Sequence, residues 1–316
     1  MSKLSRRTVL TGAAAGALVG CARKPGPPPQ VSILRAASYS ADLLDPVRRL
    51  IAAHQLDVRG KRVVLKPNLV EFDPGTTINT NPALVEAALE AFRSAGAADV
   101  RTAEGPGHRR NTLELAEAAG YFQAVPKFED LFTDLNLDDV TRVPLSRPHS
   151  KLDAFYLPQT PLACDLLVSM PKMKCHHWVG ATLSMKNLFG LVPGAVYGWP
   201  KNVLHWAGIN ESIADLHALF PRTFAIVDGI VGMEGNGPIQ GTPQPAGVLV
   251  GGTDPPAVDA TCCRIMGINP AQIDYIRLTE TNGQSTESVV RQIGETIRSV
   301  RTDFHLIDQF KDLRLA

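Results

Sequence analysis

The chain has few cysteines, and none of them is arranged as a metal pair. Cys21, Cys164, Cys175, Cys262 and Cys263 contain no CxxC, and zinc ribbons and ferredoxin-type clusters depend on such close pairs to bring two thiolates to one metal. An iron–sulfur cluster is therefore not expected, and electron transfer becomes a minor alternative. Charge of one sign is lacking too: 32 Lys and Arg stand against 31 Asp and Glu. A basic surface tracking phosphates is not indicated, so nucleic acid is not an expected partner. No apolar run approaches the roughly 20 residues that cross a bilayer. Neither a GxGxxG fingerprint nor a Walker A sequence is present, which removes the standard dinucleotide and nucleotide loops. What remains is a chain of 316 residues, 44% hydrophobic, long enough for a substantial core. Its 26 Gly and 24 Pro point to many loops.

Residues 1–20 have the layout of a signal peptide: Lys3, Arg6 and Arg7, then a mildly apolar run over residues 9–19, with no acid. Ser5-Arg6-Arg7-Thr8-Val9-Leu10 resembles the twin-arginine export signature, with a Sec signal as the alternative. Leu18-Val19-Gly20-Cys21 resembles a lipobox. Cys21 would then be acylated, and residues 21–30, rich in Pro, would form a stiff tether. The expected partners are thus the twin-arginine export machinery and a membrane reached through the lipid anchor. The expected location is the periplasmic or cell-envelope side. A single α/β domain would occupy residues 31–316.

Within that domain, short β-branched runs alternate with segments of helical spacing. Residues 31–34 and 62–65 read as strands around a helical stretch. Asn81-Pro82 opens a helix with an apolar face of Leu84, Val85, Ala88, Leu89 and Phe92. Residues 100–103, 166–170, 224–227 and 248–250 continue the strands. The pattern predicts an α/β fold, a mostly parallel sheet with helices on both faces.

Four of the runs end in reactive side chains. Lys66 and Asn68 follow the strand at 63–65. Lys172, Lys174, Cys175, His176 and His177 follow the strand at 166–168. Asp228, Glu234, Gly235 and Gly237 follow the strand at 225–227, and Asp254 and Asp259 follow the strand at 248–250. Parallel strands would gather all four groups at the carboxyl edge, where such sheets bind ligands. Lys66, Asn68, Lys172, Lys174 and Asn187 would bind a small anion, helped by backbone N–H groups of Gly235 and Gly237. His176, Asp228, Glu234 and Asp259 would hold a divalent metal ion that polarises it. Lys186 or His205 would transfer the proton. A bridge between Cys164 and Cys175 is left open, and Cys262-Cys263 reads as a core pair.

Four motifs in this order, Lys66-Pro67-Asn68-Leu69, Lys172-Met173-Lys174-Cys175-His176, Lys186-Asn187-Leu188-Phe189-Gly190 and Asp228-Gly229-Ile230 through Met233-Glu234-Gly235-Asn236-Gly237-Pro238, resemble the DUF362 family over about residues 60–270. The resemblance implies a fold and a map of motifs but no particular reaction. Some members carry iron–sulfur cysteines in an added segment, and no such cysteines occur here. A weaker likeness concerns His176, Gly180, Lys186, Pro193-Gly194 and His205, which are similar in layout to the nickel-dependent lactate racemases. There a lysine holds the cofactor, and histidines act as bases and a ligand; glycine spacing and the position of Asn187 depart from that pattern. The combined expectation is an exported, lipid-anchored, metal-assisted enzyme acting on a small anionic substrate. The alternatives are a non-catalytic metal- or anion-binding lipoprotein, racemase- or isomerase-like chemistry, and electron transfer.

Overall fold

The computed structural model describes residues 27–281, 283 and 285–316; the expected signal peptide and Cys21 lie outside them. Twelve strands are placed: β1 (Gln30–Arg35), β2 (Arg62–Pro67), β3 (Asp99–Glu104), β4 (Phe132–Asp134), β5 (Val140–Pro144), β6 (Ala154–Pro158), β7 (Leu166–Met170), β8 (Lys172–His176), β9 (Gly180–Thr182), β10 (Thr223–Glu234), β11 (Thr242–Gly252) and β12 (Arg291–Gly294). Ten form one sheet, whose main path runs β12-β1-β11-β10-β7-β2-β3-β4. β8 leaves that path to pair with β10 and β9, and β5 and β6 make a separate hairpin.

Strand residues alternate between two cores, as the two-residue repeat of a strand demands. Ile33, Val64, Leu167, Ala225, Val227 and Val250 enter one cluster, while Leu34, Val63, Leu65, Val168, Ile226 and Leu249 enter the other. Helices Leu44–Ala53 and Pro82–Ser94 cover the second face, and helices Ile209–Leu219 and Pro255–Ile265 cover the first. Each fully buried Val or Leu stabilises by roughly 1.5–3 kcal/mol, so these continuous apolar runs hold the sheet between its helical layers. The helix at Pro82 starts where the sequence places it: the Asn81 side chain accepts Ala83 N–H at 3.0 Å, and Pro82 occupies the first turn.

Two expectations change. β2 is parallel to β3 and β7, and β7 is parallel to β10, but β11 runs antiparallel to both β1 and β10. The end of β11, with Asp254, therefore lies at the opposite edge from the ends of β2 and β7. In addition, β10 does not stop before Asp228. It continues to Glu234 and turns back into β11, so the glycine-rich segment is mostly hairpin rather than a loop beyond a strand. Gly229 and Gly232 permit this, because a Cβ at either would stand about 2.8 Å and 2.7 Å from Met173.

The cysteines at 164, 175, 262 and 263 are free thiols, so the bridge left open between Cys164 and Cys175 is not formed. Cys262 and Cys263 are fully buried core residues.

Candidate functional site

At the carboxyl ends of β2, β3 and β8 lies a cleft of about 620 Å³. β8 supplies part of its floor by simple alternation. Met173 and Cys175 point into the core, and Lys174 and His176 face the cleft. Lys66 is the penultimate residue of β2, Glu104 ends β3, and Lys186 sits on the single turn Ser184–Asn187. Lys201 and His205 close one side, and the β10–β11 hairpin closes another through Asn236, Pro238, Ile239 and Gln240.

The lysines are not equivalent. Lys66 donates to Glu104, to Asn187 Oδ1 at 2.9 Å and to Pro67 O at 3.0 Å. An ammonium has three donors, so Lys66 is saturated. Glu104 also accepts Gly105 N–H at 3.0 Å and Leu69 N–H at 3.3 Å. The chain passes so close to this pair at Gly190 that a Cβ there would lie 1.8 Å from Glu104 Oε1. Glu104 is the one carboxylate among the described residues lining the cleft.

Lys174, Lys201 and Lys186 have no carboxylate partner among the described residues. Lys174 donates to Ile78 O at 2.9 Å and Pro238 O at 3.2 Å, and Lys201 to Gly105 O at 2.6 Å and Phe189 O at 2.8 Å. Each has one N–H left for a ligand. Lys186 Nζ makes no hydrogen bond among the described residues and lies 3.7 Å from the centroid of the Phe189 ring. Burial, reinforced by the charges of Lys201 and Lys66, brings Lys186 down to about 7. Burial likewise brings Lys201 to about 7, although Glu104 opposes it. Lys174 is held well below the usual lysine range by burial and then by Lys172 and Lys186.

The imidazoles feel the same environment. His176 Nδ1 accepts Trp178 N–H at 3.0 Å, which places its proton on Nε2, and burial with nearby Lys186 pushes its pKa well down. His205 Nδ1 donates to Lys201 O at 3.2 Å, leaving Nε2 free as an acceptor. Burial and Lys186 lower His205 to about 4, so it is neutral at pH 7 and a weak base. Of the two groups expected to move a proton, Lys186 is the one poised near neutrality.

The other expected binding groups are placed differently. Lys172 is buried beside the cleft, not on it: it donates to Asp228 at 2.6 Å and Tyr39 Oη at 2.7 Å. Asn187 acts from behind, through Lys66 O at 3.0 Å and Ser169 Oγ at 3.1 Å. Asn68 is buried off the cleft, with its N–H on Thr80 Oγ1 at 2.8 Å. The N–H groups of Gly235 and Gly237 are already given to His305 O and Gly235 O, each at 2.9 Å. They cannot also cradle a ligand.

The expected metal set does not assemble. Asp228 is taken by Lys172, by Asn81 N–H at 2.9 Å and by Tyr39 Oη–H at 2.8 Å. Asp259 accepts Ser184 N–H at 2.8 Å and Met185 N–H at 3.0 Å from the far side of the turn. Glu234 accepts His305 N–H at 2.7 Å, and His176 lines the cleft alone of the four. Among the described residues no group of three or more His, Cys, Asp or Glu side chains is placed to hold a metal ion. The donor set therefore does not fit the expected metal.

Sequence reasoning missed Glu104, Lys201 and His108, which line the cleft. Glu104 and His108 end or follow a β-branched run, so the strand-end rule applied to β3 finds them. Lys201 follows Trp199-Pro200 in an irregular stretch, and no sequence pattern marks it.

A parallel-centred sheet, covered on both faces and carrying a lysine-rich cleft at its carboxyl edge, defines an α/β protein with a concave cationic site. The chain belongs to a family described as Domain of unknown function (DUF362), which matches residues 63–264 and so includes all four cleft lysines. A curated relative, a thylakoid-associated protein of Synechocystis, is 29% identical over 267 residues, covering 80% of this chain and 79% of that one. Among solved structures, a lactate racemase apoprotein from Thermoanaerobacterium thermosaccharolyticum aligns with a TM-score of 0.49 and 14% identity. The alignment covers 76% of this chain and 57% of that one, so the chain spans less than two thirds of that protein.

Proposed function

We propose that the cleft binds a small organic anion and that Lys186 moves a proton on it. The observation that carries this reading is the set Lys174, Lys186 and Lys201: three lysines facing one cavity with spare N–H donors and, among the described residues, no carboxylate in an ion pair with any of them, Glu104 being bound to Lys66. Burying uncompensated cations is costly, and a carboxylate or phosphate entering the cleft supplies the missing charge and acceptors. Lys186, with a pKa of about 7, is divided between free amine and ammonium at neutral pH, as a general base or acid requires. Neutral His176 and His205 add hydrogen-bonding groups on the same wall.

The chain is proposed to act outside the cytoplasm on a lipid anchor. That part rests on the twin-arginine and lipobox motifs of residues 5–10 and 18–21, and the description of the Synechocystis relative as thylakoid-associated agrees with a membrane setting. No helix among the described residues is long and apolar enough to cross a membrane.

Thermal unfolding against a panel of small carboxylates and phosphates tests the binding reading. An anion that raises Tm in the native chain but not in Lys174→Met or Lys201→Met supports it, and a panel that shifts nothing overturns it. Given a stabilising anion, Lys186→Ala separates the steps: affinity persists and turnover disappears if the lysine moves the proton. Retention of turnover removes Lys186 from the chemistry.

A further inference from the structure

Lys186 differs from the other cleft lysines in one respect that proton transfer does not require: among the described residues its amine donates no hydrogen bond and rests only against the Phe189 ring. Lys66 has all three donors engaged, and Lys174 and Lys201 each hold two carbonyls. Lys186 Nζ has no hydrogen-bond partner among the described residues, so its lone pair can turn into the cavity once the proton is off. The backbone beneath it is fixed at both ends. Buried Asp259 accepts the N–H groups of Ser184 and Met185. Asn187 is tied to Lys66 O, Ser169 Oγ and Lys66 Nζ. A free amine on a clamped turn, beside two lysines able to hold an anionic group, is the arrangement a covalent nucleophile needs.

We infer that Lys186 forms an imine with small anions that carry an aldehyde or ketone next to the anionic group. The inference rests on the anion-binding reading above and narrows its substrate class to oxo-acids and their phosphate counterparts. The unprotonated Nζ adds to the carbonyl carbon, and the π electrons move to oxygen, which takes a proton. One nitrogen-bound proton then leaves to solvent or to His205 Nε2, which is free and shares the Phe189 wall with Lys186. Loss of the hydroxyl as water forms the C=N bond. Carbonyl and amine give imine and water, with no oxidant or reductant required. Lys174 and Lys201 hold the anionic group through their remaining N–H donors.

The test treats the folded protein at pH 7 with glyoxylate and sodium cyanoborohydride, which reduces any iminium to a stable amine, and quantifies each modified lysine by peptide mass spectrometry. Exposed Lys127 and Lys151 are controls in the same digest. An amine at the reference pKa is free only about one part in a few thousand at pH 7. Even after the weaker nucleophilicity of a less basic amine, Lys186 is expected to react on the order of 100-fold faster than the controls. Inorganic phosphate in excess should protect it and leave the controls unchanged.

Labelling of Lys186 no faster than Lys127 and Lys151 overturns the imine. If glyoxylate and its non-carbonyl analogue glycolate still raise Tm in that case, the anion-binding reading stands while the imine falls. If neither raises Tm nor protects, both fall. Preferential labelling of Lys186 that phosphate does not suppress overturns the inference as stated, because the anionic group is then not what delivers the carbonyl.

Discussion

Lys172 and Lys174 lie two residues apart on β8, are both buried, and have opposite electrostatic situations. Lys172 meets Asp228 and Tyr39 in a closed cluster, and Lys174 meets only carbonyl oxygens. The same contrast separates Lys66, saturated around Glu104, from Lys201, held by two carbonyls. A lysine with a carboxylate partner organises the fold and offers little to a ligand. A lysine held only by carbonyls, as Lys174 and Lys201 are, or by an aromatic face, as Lys186 is, has no counter-charge to keep it protonated and gains one when an anion binds, and three such groups in one cleft make a site. Burial alone does not separate structural from binding lysines; the inventory of acceptors does.

Removing one member of a closed pair should produce the largest effect. Asp228→Ala leaves the Lys172 ammonium buried without a counter-charge, and it also frees Asn81 N–H and Tyr39 Oη. Breaking such a pair costs about 3–5 kcal/mol, to be read from urea denaturation. Loss below about 1 kcal/mol would mean that Lys172 simply deprotonates, and the contrast with Lys174 would disappear.

Lys201→Met examines the other class. The ligand-free protein should keep its stability or gain some, since a buried cation without a carboxylate is replaced by an apolar chain of similar length. Affinity for the anion found in the thermal panel should fall about 10- to 100-fold, from loss of a charged hydrogen bond of about 1.5–3 kcal/mol. Urea denaturation of the ligand-free native and variant proteins measures the first quantity, and calorimetric titration with the anion measures the second. A variant that loses stability and keeps affinity would move Lys201 into the structural class.

The sequence made the layers of the fold readable because strand and helix periodicities are local. Asn81-Pro82 announces its helix, and the β-branched run at 63–65 announces its strand. Strand direction is not local. The apolar run at the end of β11 has the same pattern whichever way it travels, so the expected fourfold gathering at one edge failed at Asp254. Lys66, Lys174, Lys186 and His176 were found because strand ends and their following turns concentrate ligand groups, and all four reach the cleft. Their differing availability was hidden. The partner that saturates Lys66 is Glu104, 38 residues away, and Asp259 engages a turn 75 residues before it. Acceptors at that range are fixed only by tertiary packing.

The smallest expected effect concerns protons, and its sign distinguishes binding from folding. Lys186 and Lys201 both stand near 7 in the ligand-free protein, and a bound anion favours their charged forms and raises both values. Binding near pH 7 therefore takes up protons. As pH rises from 7 to 8, the protonated fraction of a group at 7 falls from one half to about one eleventh, so affinity should drop about fivefold for each lysine that carries the anion. Calorimetry in two buffers of different ionisation enthalpy would show the uptake directly. Folding runs the other way. These lysines have lowered pKa values in the folded state, so between about pH 7 and 10.4 the unfolded chain holds protons that the native protein has released. Their contribution makes the ligand-free protein more stable as pH rises through that interval, while its hold on the anion weakens. A protein in which both quantities moved in the same direction would place the titrating groups elsewhere than on these two lysines.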